Sequence, residues 1–337
     1  MGLGILPAAQ AEFRCLFPAL LPPGRASVQL KITDANITSK EYWTPRGLCC
    51  SYAIRHLVAR MKVAVFSDVQ GNLPAFEATI EDIKAWGPEL VVMDGDLISR
   101  GPNSPECLDL FETLRSEGWL PVRGNHEDFV LYCQSCPPDG PIDAQLRQFA
   151  DWTGERLGTR TALLHDWPDH LCFQGPHETS WVHVTHGTLA GNRDGISRSV
   201  GDERLTGKLP LDVELFVTAH THKPLLRHYQ GVDIVNVGSV GSPFDGDPRS
   251  SYGRLEYRQS GWHAEIRRLS YDRGRAARDF EDSGFLDQTG PLGQLIFEEW
   301  RQARLLMPIW KREYRPAVLS GQTTLEASIR ELLRSLD

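Results

Sequence analysis

Apolar and polar positions follow two regimes along this chain. From residue 62 onward, short apolar runs alternate with stretches whose apolar residues recur at helical spacing, the pattern of strands alternating with helices. Residues 62–67 read as a short buried strand, and 73–86 as a helix stopped by Gly87-Pro88. Further strands are expected at 90–93, 119–123, 181–185, 215–218 and 233–237, and further helices at 105–117 and 145–157. A hairpin is expected from 253–257 and 262–269 around Ser260-Gly261. The stretch 128–169 is mostly helical, interrupted by Pro137-Pro138-Asp139-Gly140-Pro141, and reads either as a cap over a site or as a packed helical connection. In the tail, 290–307 is expected to be a helix stopped by Pro308, and 323–336 a helix in which Thr323 and Glu326 have capping-box spacing. Its stripe of Leu325, Ile329, Leu332 and Leu333 serves packing on the same chain or, in a sharper reading, a dimer contact. Residues 1–60 differ: they hold several Pro and Gly and no sustained period of 2 or 3.6. The layout is α/β, with an N-terminal extension over 1–60, a body over 61–272 and a C-terminal helical extension over 273–337.

Composition narrows the class. A chain of 337 residues with 41% hydrophobic positions has ample material for a core. The net charge of −8 argues against loose polyanion binding over the whole surface, while leaving room for a local basic groove. Arg267, Arg268, Arg273, Arg275 and Arg278 are one such stretch, although Asp272, Asp279 and Glu281 among them fit a solvated helix face. The first 60 residues carry seven Lys and Arg against three Asp and Glu, and Met61-Lys62 begins the regular pattern abruptly. An untranslated stretch, with Met61 as natural initiator, and a disordered or loosely packed extension are the two expectations for 1–60. Seven cysteines without framework spacing fit reduced thiols and a cytoplasmic protein. Cys49-Cys50 with Cys133 and Cys136 could alternatively form a zinc site. No stretch resembles a secretion signal or a membrane span.

The chemistry sits where apolar runs end. Val91-Val92-Met93-Asp94-Gly95-Asp96 runs into Ser99-Arg100-Gly101-Pro102; the other segments are Ser67-Asp68-Val69-Gln70-Gly71-Asn72, Gly124-Asn125-His126-Glu127, Thr185-His186-Gly187 and Ala219-His220-Thr221-His222. Asp, Asn and His are ligand types suited to Mn, Fe or Zn, and strand ends hold them rigidly at a loop opening. A carboxylate such as Asp96 has two oxygens and can hold two cations at once. Taken in this order, the five segments resemble the calcineurin-like metallophosphoesterase superfamily, in its bacterial branch with phosphoprotein-phosphatase and diadenosine-tetraphosphatase-like motifs, whose pattern is D-x-H, G-D-x-x, G-N-H-[DE], H-G and G-H-T-H.

The resemblance implies a two-sheet αββα sandwich and two divalent metal ions, Mn first and Fe or Zn as alternatives. It implies that Asp68 and His222 hold the first metal, that Asn125, His186 and His220 hold the second, and that Asp96 bridges them. It gives a metal-bridging hydroxide as nucleophile, His126 as leaving-group acid or phosphate holder, and Arg100 as phosphate clamp. Gln70 stands where the family has histidine, and its amide oxygen is expected to reach the first metal as a weaker ligand. Ser99 stands where one form of the pattern has a second Asp, which loosens the acid role of His126, and Ala219 replaces a glycine. Asn236-Val237-Gly238-Ser239-Val240-Gly241-Ser242-Pro243 resembles a segment that borders the site in bacterial members. The expected activity is phosphomonoester hydrolysis on a phosphorylated small molecule, nucleotide or phosphoprotein. Phosphodiester or nuclease action on DNA or RNA stands second, and a non-catalytic metal- or phosphate-binding protein is the reading from another class.

Overall fold

The computed structural model describes residues 60–177, 179–259 and 261–336, together with the backbone of 37–44 and 47–54. In the latter, β1 (Ile37–Thr44) and β2 (Gly47–Ile54) pair as an antiparallel hairpin with Thr44 opposite Gly47. The sequence pattern did not signal these strands, because neither run alternates cleanly between apolar and polar. The remainder of 1–60, and the question of Met61 as initiator, lie outside the described residues.

From residue 61 the expected alternation of strand and helix is present. The first half runs β3 (Met61–Phe66), α1 (Leu73–Trp86), β4 (Leu90–Asp94), α2 (Ser104–Ser116), β5 (Leu120–Val122), α3 (Asn125–Ser135) and α4 (Gly140–Leu157). The second half runs β6 (Leu171–Gln174), β7 (Trp181–Val184), β8 (Leu215–Thr218), β9 (Leu225–Tyr229), β10 (Val232–Asn236), β11 (Ser250–Arg258) and β12 (Gly261–Leu269). Two mixed five-stranded sheets result, ordered β12-β11-β3-β4-β5 and β6-β7-β8-β10-β9. β3, β4 and β5 are mutually parallel, as are β7, β8 and β10; antiparallel strands close both edges of the second sheet and the β12 edge of the first, whose other edge is parallel β5.

Period-two alternation decides how the sheets stack. Met61, Val63 and Val65 of β3, with Leu90 and Val92 of β4, face Val182, Val184, Leu215 and Val217 of the second sheet in one buried cluster. The intervening Ala64, Phe66, Val91 and Met93 face the other way, into the cluster built with the helices. On the second sheet, Phe216 and Ile234 point outward and are covered by Ile196, Leu205 and Leu209. This is the expected two-sheet α/β sandwich, and every parallel strand ends on the same rim.

The tail continues as α5 (Arg273–Asp282), α6 (Phe285–Gln288), α7 (Gly290–Gln302), α8 (Met307–Glu313), α9 (Arg315–Leu319) and α10 (Leu325–Arg334). Pro308 does not stop a helix here; it sits in the first turn of α8, where its missing N–H costs nothing. Thr324, not Thr323, is the N-cap of α10, accepting from the Ala327 amide. Phe280, Phe285, Leu295, Trp300, Trp310, Leu325, Ile329 and Leu332 join the same buried cluster as Phe66 and Phe76, so the α10 stripe packs on its own chain. Much of the basic stretch is engaged: Arg267 pairs with Asp82, Arg268 with Asp245 and Arg275 with Glu77, while Arg273 donates to backbone carbonyls. Cys133 is buried on α3 and Cys136 ends that helix; the side chains of Cys49 and Cys50 lie outside the described residues. No helix among the described residues is long and apolar enough to cross a membrane.

Candidate metal centre

Each predicted ligand follows the C-terminal end of a parallel strand: Asp68 after β3, Asp96 after β4, Asn125 after β5, His186 after β7, and His220 and His222 after β8. The backbone there is unusual. Of nine non-glycine residues with positive φ among the described residues, seven are Asp68, Gln70, Asp96, Ser99, Arg100, His220 and His222, each costing on the order of 1–3 kcal/mol. Cross-loop hydrogen bonds hold this shape, from the amides of Asp68, Gln70 and Gly71 to the carbonyls of Gly95, Asp96 and Leu97 at 2.9–3.0 Å. Glu127, fully buried, adds a bracket: Oε2 accepts from the Asp96 and Gly124 amides at 2.8 and 2.9 Å, and Oε1 from Leu97 and Ile98 at 2.9 and 3.3 Å. Gly124 is required for close approach, since a β-carbon there would overlap Oδ1 of Asp96.

The side chains converge. His222 Nε2 lies 3.0 Å from Asp68 Oδ1, His186 Nε2 lies 3.3 Å from Asp96 Oδ2 and 3.1 Å from Asn125 Oδ1, and His220 Nδ1 lies 2.7 Å from the same amide oxygen. One ligating atom each from Asp68, Asp96 and His222 falls within 4.8 Å of the others. The outer nitrogens are already committed, His186 Nδ1 to the Asp94 carbonyl at 2.7 Å and His222 Nδ1 to the Ser242 carbonyl. This fixes which nitrogen each ring turns inward, as in metal sites generally. Both oxygens of fully buried Asp68 lack a hydrogen-bond donor. Buried acceptors packed this closely fit a cation between them.

The electrostatics have the same sign. Burial lowers the His186 pKa, but Asp96, Asp68 and Asp94 carry it well above the ordinary imidazole value. Burial raises Asp96, yet His186 and His126 bring it below the usual carboxylate range. Burial also raises Asp94, further helped by Asp68 and Asp96. The cluster is an acidic pocket that draws positive charge to itself.

A pocket of about 480 Å³ opens onto it, lined by Gln70, Asp96, Arg100, Asn125, His126, His220 and His222. Its remaining lining is Gly195, Ser197, Thr221, Lys223, Phe244 and, from the C-terminal segment, Leu305, Met307, Pro308 and Lys311. His126 donates its amide to Asp96 Oδ1 at 2.8 Å, places Nε2 3.9 Å from Asp96 Oδ2, and keeps Nδ1 buried without a partner. Burial, opposed by Asp96, lowers its pKa to about 3. Gln70 turns Oε1 to Arg100 Nε at 3.0 Å and its amide nitrogen to His222 Nε2 at 3.2 Å. Oxygen ligation by Gln70 would require the amide to flip and give up the Arg100 bond. Arg100 is itself held by buried Glu299 at 2.5 Å.

Several participants lay outside the sequence reading. Glu127 and Asp94 stood within the quoted segments without a role, and nothing in spacing marks a carboxylate as an amide bracket. Glu299, 199 residues from Arg100, carried no local signal. Phe244, stacked on His222 at 4.2 Å and 12°, closely follows the Asn236–Pro243 segment, which does border the site. That segment's Ser239 hydroxyl donates to the Asp68 carbonyl at 2.8 Å, and the Gly241 amide donates to the same oxygen at 2.9 Å.

Comparison with known proteins agrees with this geometry. A family model described as calcineurin-like phosphoesterase matches residues 61–224. An uncharacterized protein of Methanocaldococcus jannaschii is 36% identical over 74 residues, 22% of this chain and only 29% of its own length. Phosphodiesterase YfcE of Escherichia coli is 26% identical over 200 residues, 58% of this chain and 88% of its own. The crystal structure of a metallophosphoesterase from Sphaerobacter thermophilus covers 72% of this chain and 99% of its own at a TM-score of 0.56 and 22% identity, which speaks to the fold. Strand-end position, donor chemistry and family match agree: residues 61–224 match the calcineurin-like phosphoesterase domain, a family of metal-dependent hydrolases.

Proposed function

We propose that this protein is a metal-dependent phosphoesterase acting on phosphodiesters, with Asp68, Asp96, Asn125, His186, His220 and His222 as the metal-holding set. The observation that carries the reading is the convergence of these acceptors around an Asp68 carboxylate with no donor of its own. When bound, two divalent ions supply Lewis acidity and a water acidic enough to act as nucleophile near neutral pH. The oxygen- and imidazole-rich set suits Mn first, with Fe or Zn as alternatives. Asp96, with one oxygen toward the His126 amide and the other toward His186, is the residue placed to join the two halves. The His126 ring, beside Asp96 in the pocket, is positioned to hold a phosphoryl oxygen. Leu305, Met307 and Pro308 exclude water from one side of the bound ester.

The diester reading moves ahead of the monoester one for two reasons. Arg100, the expected clamp for a phosphoryl dianion, has its charge compensated by buried Glu299, which removes a cation that a monoester needs more than a singly charged diester does. The relative from Escherichia coli that matches over 200 residues is named a phosphodiesterase. The test is hydrolysis of bis-p-nitrophenyl phosphate beside p-nitrophenyl phosphate, after chelator stripping and Mn addition, for wild type and Asp96→Asn. Metal-restored turnover favouring the diester, reduced at least about 100-fold in Asp96→Asn, is expected. Turnover of the monoester alone returns the phosphatase reading. Silence on both esters, with Mn uptake seen by calorimetry, leaves a non-catalytic metal-binding protein.

A further inference from the structure

Part of the pocket lining, Leu305, Met307, Pro308 and Lys311, comes from a segment beyond the family match, which ends at residue 224. It is held in place firmly. Glu299 spends one oxygen on Arg100 and the other on the amides of Leu306 and Met307, both at 2.6 Å, where α8 begins. Trp310 fixes the far side of α8, buried with its indole N–H on Ser328 Oγ at 2.9 Å. Met307 and Lys311, one helical turn apart, share the face that looks into the pocket. Lys223, directly after the ligand His222, lines the pocket as well.

Among the described residues neither Lys223 nor Lys311 has a side-chain hydrogen-bond or ion-pair partner, and the same holds for Arg193 and Arg315. On a chain of net charge −8, Lys223 and Lys311 lining one pocket without such partners concentrate positive charge locally. Lys311 is solvent-exposed as a residue, and partial desolvation, followed by the positive charges of Arg315, Arg100 and Arg193, lowers its pKa, so these cations bear on one another. A phosphate-sized anion would relieve that repulsion. The pocket, at about 480 Å³, has room for much more than the scissile group.

We infer that Lys311, with Lys223, forms a second anion subsite, so that the preferred substrate is a phosphoester carrying a further phosphate beyond the one that is cleaved. The inference rests on the phosphoester reading above. It is tested on the full-length Mn-loaded protein, with AMP, ADP and ATP as competitive inhibitors of bis-p-nitrophenyl phosphate hydrolysis at fixed free Mn. Wild type should bind ATP at least about tenfold more tightly than AMP, Lys311→Ala should lose most of that ratio, and Lys311→Arg should keep it. Equal affinity for the three nucleotides in wild type, or a ratio that Lys311→Ala leaves intact, overturns the inference. If wild type hydrolyses no ester, the catalytic reading fails, and the same three nucleotides titrated calorimetrically still decide the subsite by the same ratio.

Discussion

Glu127→Gln tests how the metal loop is held, because the two side chains have the same shape and differ in one heteroatom. Glu127 accepts four backbone amides, and glutamine can accept from only one of the two pairs. The cheaper orientation turns the new NH2 toward Leu97 and Ile98, since the Ile98 bond is the longest at 3.3 Å. Two buried amides then lose their acceptor at about 1–3 kcal/mol each, the long bond at the low end, for a total near 3 kcal/mol. Burial and the Asp96 carboxylate push the Glu127 pKa up to about 7 against the pull of the amides, so the comparison belongs at pH 8, where the carboxylate is charged. Hydrogen–deuterium exchange of the peptide spanning residues 94–100 reads the effect directly. A loss near 3 kcal/mol appears as roughly a 100-fold fall in protection of the 97 and 98 amides, with Mn affinity falling about 10–100-fold because the loop that follows Asp96 loosens. Protection within a factor of about three of wild type would refute the idea that Glu127 holds this loop.

Three further outcomes follow from neighbouring geometry. Gly124→Ala places a methyl against Asp96 Oδ1; calorimetry should show Mn binding abolished or severely weakened, at a stability cost of about 1–3 kcal/mol. Ser328→Ala leaves the buried Trp310 N–H without an acceptor and should cost about 1–3 kcal/mol in urea unfolding, whereas Ser328→Thr should cost less. Burial raises the Asp82 pKa, but hydrogen bonds from Tyr252, Arg267 and Arg254 bring it below the ordinary value. Stability from this group is therefore present above the unfolded carboxylate pKa near about 3.9 and lost as pH falls through the lower folded value. Asp82→Asn should cost about 1–2 kcal/mol at pH 7, allowing for partial exposure, and the gap to wild type should close below about pH 4.

Strands that feed the rim were legible because they are short apolar runs ending in ligand-type residues, as at Val91–Asp96 and Val182–His186. The spacing of α1, stopped by Gly87 in the left-handed region, was equally plain. What escaped depends on distance in sequence. β6 and β9 are four and five residues long, and their mixed side chains, Leu171 to Gln174 and Leu225 to Tyr229, take strand form through pairing with β7 and β10. The break between α7 and α8 was hidden because Pro308, which ends a helix when inside one, also suits the first turn of the next. Gln70 shows the same limit within the site. Its position was legible, but the direction of its amide is set by Arg100, which is in turn set by Glu299, and no window around residue 70 contains that chain of hydrogen bonds.

The tie between Arg100 and Glu299 also has a schedule. The two residues are 199 positions apart, and chains are synthesised at about 5–20 residues per second, so the guanidinium exists for roughly 10–40 s before its carboxylate has been made. By the time the chain reaches β12 the strands that carry the candidate ligand residues can pair, but the pocket wall from Leu305 to Lys311 is not yet there to cover them. The nascent protein thus acquires the residues proposed to hold metal first and the wall that encloses them last, leaving those loops open to solvent ions until the final helices arrive.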